Sequence, residues 1–315
     1  MLAETQQNSL KKEKSLSKLK PSLTAIILTY NEEIHLQRCI NSLKKVCEHI
    51  IVIDSFSNDA TENIAKRNNC EFHQNSWINY ATQFNWALDN CNITTNWVLR
   101  MDADEYLMPA LQTEILNKLD DVQEAVSGIE IFIRRVFLGR YMKRGLGKIK
   151  MMRLFRFGKG RIENRWMDEH LELLNGTSLV FDNEFADDNL NSVGWWTAKH
   201  NGYSIREAID LLDVELDFLG NYSGENIKEQ ALKKRKLKLK YVKLPLFFRC
   251  FIYFLYRYVF RLGFLDGKEG FLWHFLQGFW YRVLVDAKIF EIKKHCGTDV
   301  VKIREYIKNV YKIEL

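Results

Sequence analysis

Two stretches decide the fold, Leu23-Thr-Ala-Ile-Ile-Leu-Thr29 and His49-Ile-Ile-Val-Ile-Asp54. Each is short, β-branched and almost wholly apolar, the pattern of a strand covered on both faces. Between them, Ile34, Leu36, Ile40 and Leu43 recur at helical spacing, which predicts a helix over 32–45. Working outward, Ser57-Asn-Asp-Ala-Thr61 opens a second helix, with Ser57 or Asp59 suited to cap it. Glu71–His73 reads as a third strand, residues 80–90 as a third helix, and Trp97-Val-Leu-Arg-Met101 as a fourth strand ending at Asp102. Strands and helices alternating at this spacing require parallel crossovers, hence an α/β fold with a mostly parallel central sheet flanked by helices.

In such sheets ligands bind outside the carboxyl ends of the strands. Those ends are Thr29-Tyr30-Asn31-Glu32, Asp54-Ser55-Phe56-Ser57 and Asp102-Ala103-Asp104-Glu105, three polar tips that each bear a carboxylate. The last is the sharpest. Two carboxylates at i and i+2 can share a hard divalent cation, with phosphate oxygens of a substrate completing its shell. Asp54 can accept hydrogen bonds from a ribose hydroxyl or a base N–H. The chain has no G-x-G-x-x-G and no G-x-x-x-x-G-K-[ST], which disfavours a dinucleotide fold and a P-loop ATPase.

Thr24-Ala-Ile-Ile-Leu-Thr-Tyr-Asn-Glu-Glu33, Val52-Ile-Asp-Ser-Phe-Ser-Asn-Asp-Ala-Thr61 and Trp97-Val-Leu-Arg-Met-Asp-Ala-Asp-Glu105 together resemble the family 2 inverting glycosyltransferases of GT-A fold. The likeness is to the bacterial branch that extends lipopolysaccharide core, O-antigen or capsule saccharides. It covers residues 22–110 most specifically and continues more weakly through 166–174 and 245–294, including Gly263-Phe-Leu-Asp-Gly267. The resemblance implies a nucleotide-diphosphate sugar donor, expected to be a UDP-sugar, and an acceptor that is a lipid-linked oligosaccharide or lipopolysaccharide core. It implies that Thr29, Tyr30 and Glu32 line the nucleotide pocket, that Asp54 holds base or ribose, and that Gln83 lies near the nucleotide. Asp102 would contact the nucleotide sugar, and Asp104 would bind Mg²⁺ or Mn²⁺.

An inverting transfer needs a general base on the acceptor hydroxyl. The resemblance places it in Met167-Asp-Glu-His170, on Glu169 or Asp168, because this chain has Asp168 where relatives carry His. The same acidic loop can instead pair with Arg161 or Arg165. Arg153, Arg156 and Arg161 are candidates for the diphosphate, and His200 lies in a Lys-His segment like one in the family. A non-catalytic membrane-bound nucleotide-sugar binder or scaffold is the rival reading, and a nucleotidyltransferase is disfavoured by the lack of a phosphate loop after the first strand. Beyond residue 121 the pattern is mixed, with strands over 128–137 and 150–157 and a helix over 203–219 that Ser204 and Glu207 would start as a capping box.

The 315 residues carry 46 Lys+Arg against 40 Asp+Glu, a net +6, with 47% apolar and 27% charged residues, a globular composition. From Lys228 to Arg261 there are eleven basic residues against one acid, Glu229, so this segment holds +10 and the remainder −4. Lys228–Lys243 reads as a basic helix, and residues 244–294 are crowded with Phe, Tyr and Trp. Arg249, Arg257 and Arg261 fall within about a third of a helical circumference. A basic stripe beside an aromatic face describes a helix lying in a membrane interface, the alternative being a buried helical core. No helix-turn-helix, RNA-recognition or zinc module accompanies the charge, so no nucleic-acid partner is expected. The organisation is thus a basic tail over 1–21, a catalytic domain over 22–225 and a membrane-associating helical region over 226–315. The polar N-terminus has no apolar signal segment, and the six cysteines show no metal spacing, which fits reduced thiols at the cytoplasmic face of a bacterial inner membrane. The sequons at Asn92, Asn175 and Asn221 carry no weight there.

Overall fold

The computed structural model describes residues 20–145, 147–163, 170–219 and 240–315. These fall into two compact units, one of residues 20–136, 148–163 and 170–190, the other of 137–145, 147, 191–219 and 240–315. The strands in chain order are β1 (Leu23–Thr29), β2 (His49–Asp54), β3 (Glu71–Gln74), β4 (Trp97–Asp102), β5 (Glu105–Leu107), β6 (Val126–Phe137), β7 (Arg140–Tyr141), β8 (Ile149–Arg156), β9 (Gly160–Ile162), β10 (Leu171–Leu173) and β11 (Thr177–Asp188). The main sheet runs β3-β2-β1-β4-β8-β6-β11-β5. Its first four strands are mutually parallel, β8 is antiparallel to β4 and β6, β11 is parallel to β6, and β5 closes antiparallel on β11. The expected α/β architecture with a mostly parallel sheet is present.

The alternation along β1 explains why it reads as unbroken apolar sequence. Leu23, Ala25 and Ile27 face a core with Leu36, Ile40 and Leu43 of helix α1 (Leu36–Leu43), while Ile26 and Leu28 face Ala81, Phe84 and Ala87. Both faces of the strand are covered, so neither residue set needs to be polar. Helix α1 is shorter than the sequence pattern predicts, because residues 32–35 form a turn instead. Helix α2 (Thr61–Arg67) fills the next crossover. Helix α3 (Tyr80–Asn90) starts where the Asn79 side chain accepts from Thr82 N at 2.7 Å, and α4 (Pro109–Lys118) starts with Pro109, whose missing N–H is harmless there.

The second unit is helical. Helix α5 (Val193–Leu216) lays Ile205, Ala208, Ile209 and Leu212 against Tyr281, Val285, Ile289 and Ile292 of a later helix, Tyr281–Cys296. The helix predicted over 203–219 therefore begins ten residues earlier. Its cap is Ser192, whose Oγ accepts from Trp195 N at 3.2 Å. Ser204 caps nothing: it is buried mid-helix, donates to Asn201 O at 2.7 Å, and Glu207 pairs with Arg282 at 2.8 Å. The capping-box spacing arose by coincidence, while Gly194 and Gly202 hid the real first turns by lowering local helix propensity.

Helices α6 (Phe248–Leu255) and α7 (Gly267–Phe275) make a hairpin through a short 3₁₀ turn, Gly263–Asp266, and each arm ends in a π-type turn, Tyr256–Phe260 and Leu276–Trp280. The second arm runs on into α8 (Tyr281–Cys296), and α9 (Val300–Tyr306) follows. Here two of the three arginines of the expected basic stripe turn inward, and Arg261 stays exposed. Arg249 is 2% exposed and paired with Asp286 at 2.5 Å, and Arg257 is 1% exposed with Nη1 donating to Gln277 Oε1 at 3.0 Å. Helical spacing brought the arginines onto one side but could not say which way that side faces. Of the basic helix over 228–243, residues 228–239 lie outside the described residues, as does the tail over 1–19.

His274 sits at the centre of the hairpin, fully buried between Gly145 and Gly263, where any Cβ would collide with its ring. Burial, with the Arg257 charge adding, pushes its pKa down from the ordinary imidazole value to about 4. The unfolded chain binds this proton below about pH 6.5 and the folded chain does not until about 4, so the stability is complete above that window and is lost as pH falls through it. The expected loss between pH 7 and 4 is on the order of 3 kcal/mol. Denaturant melts of wild type and His274→Phe across that range check this, the variant losing the component that His274 supplies.

Candidate active site

The register of the parallel strands assembles the site. Thr29 at the end of β1 is paired with Asp54 of β2, Leu28 with Asp102 of β4, and Asp54 with Gln74 of β3. The polar tips predicted from sequence therefore form one row along the carboxyl edge. Tyr30 is 59% exposed, and beside it the loop after β2 holds Phe56 at φ +60° and 55% exposed, a ring the sequence reading did not single out. Asn31 is also left-handed at φ +56°, a conformation Asn tolerates better than most residues.

The first two tips are knitted together by side chains. Asn31 N donates to Ser57 Oγ at 2.7 Å, Glu32 N to Thr61 Oγ1 at 2.8 Å, Glu33 N to Asp59 Oδ2 at 3.1 Å, and Ala60 N returns to Glu33 Oε2 at 3.0 Å. Asp59 also accepts from Thr61 N, at the first residue of α2, while Ala60 holds the N-cap position without a side-chain bond. Glu32 reaches His35 Nδ1 at 2.6 Å, and Leu190 N donates to the other ring nitrogen of His35 at 2.8 Å. Asp54 has no exposed surface: its carboxylate accepts from the Thr29 hydroxyl at 2.9 Å and from both Ser57 N and Ser57 Oγ. A ribose or base N–H meets this carboxylate only by displacing Ser57. Gln83 is likewise buried, donating to Asn75 O and Ser55 Oγ and accepting from Asn75 Nδ2, so it fastens the β2 tip to the loop after β3.

The third tip holds the two carboxylates. Asp102 Oδ1 accepts from the Tyr80 hydroxyl at 2.6 Å, and Tyr80 accepts in turn from Arg100 Nε at 2.8 Å. Asp104 Oδ2 accepts from Asn189 Nδ2 at 3.0 Å, while Arg38 ties the Asp104 carbonyl at 3.3 Å to Asp188, whose carboxylate it meets at 2.6 Å. Beneath them, buried Glu105 receives Asp102 N at 2.9 Å and Arg153 Nη2 at 2.5 Å. Carboxylates crowd one another here, with Arg38, Arg100, Arg135 and Arg153 standing among them. Burial, opposed by Arg153 and reinforced by Asp102, Asp187 and Asp104, raises the Glu105 pKa well above the carboxylate range. Asp187 is raised by burial too, with Arg135 opposing and Asp104 and Asp102 adding, and the Cys39 thiol is pushed up by burial and then by Glu105, Asp104 and Asp102. Two hard oxygen donors in this setting suit Mg²⁺ or Mn²⁺ and no soft metal.

The three arginines considered for the diphosphate have structural work. Arg153 is 2% exposed on Glu105, Arg156 stacks over Trp97 and donates to the Val122 and Val126 carbonyls, and Arg161 clasps Asp89 with two nitrogens. His200 stacks on Trp196 within the helical unit. Asp168 and Glu169, the candidate bases, lie outside the described residues. Sequence reasoning missed Tyr80, Arg100, Asn189 and Arg38, and only Tyr80, at the start of a predicted helix, offered any signal.

Tyr80 stays a protonated donor because burial raises its pKa above the usual tyrosine range, with Arg100 opposing and Asp102 adding. Tyr80→Phe is expected to leave circular dichroism unchanged and lower kcat/KM about tenfold, the worth of one positioning hydrogen bond. Steady-state kinetics at varied donor concentration measure it, and unchanged kcat/KM overturns the positioning role.

The profile of glycosyl transferase family 2 matches residues 24–186, which spans this row of tips and just over half the chain. The chain belongs to glycosyl transferase family 2. It is accordingly a transferase that uses a nucleotide sugar, built on the GT-A fold. It is 28% identical over 291 residues to an uncharacterized glycosyltransferase of Rickettsia bellii, covering 89% of this chain and 90% of that one. A glycosyltransferase of Rickettsia conorii is 28% identical over 81% of this chain and 85% of its own. The lipopolysaccharide core biosynthesis glycosyltransferase LpsC of Rhizobium meliloti is 33% identical over 45% of the transferase and 53% of LpsC. Among solved structures, glucosyl-3-phosphoglycerate synthase of Mycobacterium tuberculosis is 19% identical over 36% of this chain and 44% of that one, with a TM-score of 0.29, too distant to bear on substrate.

Proposed function

We propose that the transferase moves a sugar from a nucleotide-diphosphate donor, a UDP-sugar, to a hydroxyl of a lipid-linked saccharide with inversion. It would act in bacterial surface polysaccharide or lipopolysaccharide synthesis, as a peripheral protein at the cytoplasmic face of the inner membrane. The observation that carries the reading is the pair Asp102 and Asp104 at the end of β4, on the row with Thr29 and Asp54. In this reading Tyr30, Glu32 and Phe56 flank the nucleotide, Thr29, Asp54 and Gln83 hold the loops that shape its pocket, and Asp102 orients the donor. Asp104 holds Mg²⁺ or Mn²⁺, and when bound the ion offsets the charge of the departing diphosphate. Glu169 or Asp168 takes the proton from the acceptor hydroxyl. The partial likeness to LpsC supports the lipopolysaccharide branch.

The experiment is a donor screen by mass spectrometry with lipid-linked acceptor extracts, with and without Mg²⁺ or Mn²⁺. Metal-dependent transfer from one nucleotide sugar to a lipid-linked product is the expected outcome. Donor binding with no transfer in any extract overturns the reading in favour of a scaffold.

A further inference from the structure

The hairpin buries Arg249 and Arg257 and leaves most of its apolar side chains outside. Fifteen residues between 247 and 275 are exposed; thirteen are large and apolar, and the other two are the basic Arg261 and Lys268. No acid is among them. The apolar set runs down α6 and its π turn as Phe248, Phe251, Ile252, Tyr256, Val259 and Phe260, continues through the turn, and resumes on α7. Contacts of Phe254 with Phe275 and Phe279, and of Tyr258 with Phe271, hold the arms side by side, so that their outer faces merge into one surface. Soluble monomers rarely leave so large an apolar patch uncovered.

We propose that this face inserts into one leaflet of an anionic phospholipid membrane, held by its apolar side chains, with Arg261 and Lys268 meeting lipid phosphates. This deepens the reading of a lipid-linked acceptor by naming the partner of the helical unit and how it is held. Charge selects that partner, since Arg261 and Lys268 are exposed beside the apolar set while the half-buried Glu269 pairs with Arg140 at 3.6 Å, and anionic headgroups complement the two cations. Length excludes crossing. The first arm, thirteen residues over 248–260, reaches about 20 Å against the roughly 30 Å hydrocarbon core, and no helix among the described residues is long and apolar enough to span. The hold is apolar rather than electrostatic, because Arg249 and Arg257 are committed inside the hairpin and cannot reach headgroups.

The test is flotation of the full chain with phosphatidylglycerol/phosphatidylethanolamine vesicles and with neutral phosphatidylcholine vesicles, at about 0.15 M and about 1 M salt. Wild type is expected to float with the anionic vesicles at both salt concentrations. A Phe260→Glu/Leu265→Glu variant, changed at 75% and 49% exposed positions, should fold normally, hydrolyse nucleotide sugar without acceptor at the wild-type rate, and partition at least about tenfold less. Failure of wild type to float, release by high salt, or undiminished flotation of the variant each overturns the proposal. So does a lipid-free dimer that the variant converts to monomer, which would assign the face to a second copy of the chain. Flotation with no transfer in the donor screen leaves this inference standing and removes the proposed reaction.

Discussion

Asp104→Ala is expected to reduce sugar transfer by about 10³-fold or more while shifting the melting temperature by no more than about 2 °C. The first half follows from position. Asp104 lies two residues beyond the buried β4, on the edge where the sheet presents its polar tips, and it shares that edge with Asp102. Losing one of two hard donors removes the means of offsetting diphosphate charge as it leaves. The second half follows from how little the fold asks of the side chain. Its carboxylate accepts from Asn189 at 3.0 Å, a bond worth about 1 kcal/mol, and removing a negative charge relieves Glu105 and Asp187, both already raised in part by Asp104. Transfer kinetics with a metal titration, beside thermal melts, measure both halves. Undiminished transfer at any metal concentration sinks the metal role, and a collapsed melt sinks the claim that Asp104 is there for chemistry.

The parallel strands were legible because burial on both faces leaves no polar residue to break the apolar run, and the tips were legible because the run stops abruptly at Thr29, Asp54 and Asp102. What supports those tips was not. Tyr80 meets Asp102 from α3 and is itself held by Arg100 of β4, Arg38 and Asn189 meet the Asp104 loop from far apart in the chain, and none lies at a spacing that periodicity can read. Asp54 and Gln83 show the converse limit. Sequence placed them at the right edge, but only the side-chain packing shows that both are turned into the protein. The helical unit was read least well. An amphipathic period reports a face and not its direction, and for Arg249 the deciding residue is Asp286, 37 positions further on.

Asp286→Ala is accordingly expected to destabilise the helical unit by about 3–5 kcal/mol, one of the largest single-residue effects in the chain. Asp286 is fully buried and serves several groups at once: Arg249 through Nε and Nη2, Phe247 N at 2.7 Å, and the Cys250 thiol at 3.1 Å. Phe247 is itself left-handed at φ +65°, so Asp286 also fixes the entry into α6. Truncation leaves a 2% exposed guanidinium with its charge uncompensated and a backbone N–H without its acceptor, and the penalty is that desolvation rather than the lost attraction. The same argument predicts recovery. Replacing both partners, Arg249→Met with Asp286→Leu, removes the stranded charge and restores apolar volume, so the double variant should recover most of the loss, short of the Phe247 N bond. Urea melts and tryptic cleavage of the four members of this cycle measure it. Single variants that melt like wild type, or a double variant no better than the worse single, show that the pair does not hold the hairpin onto α8.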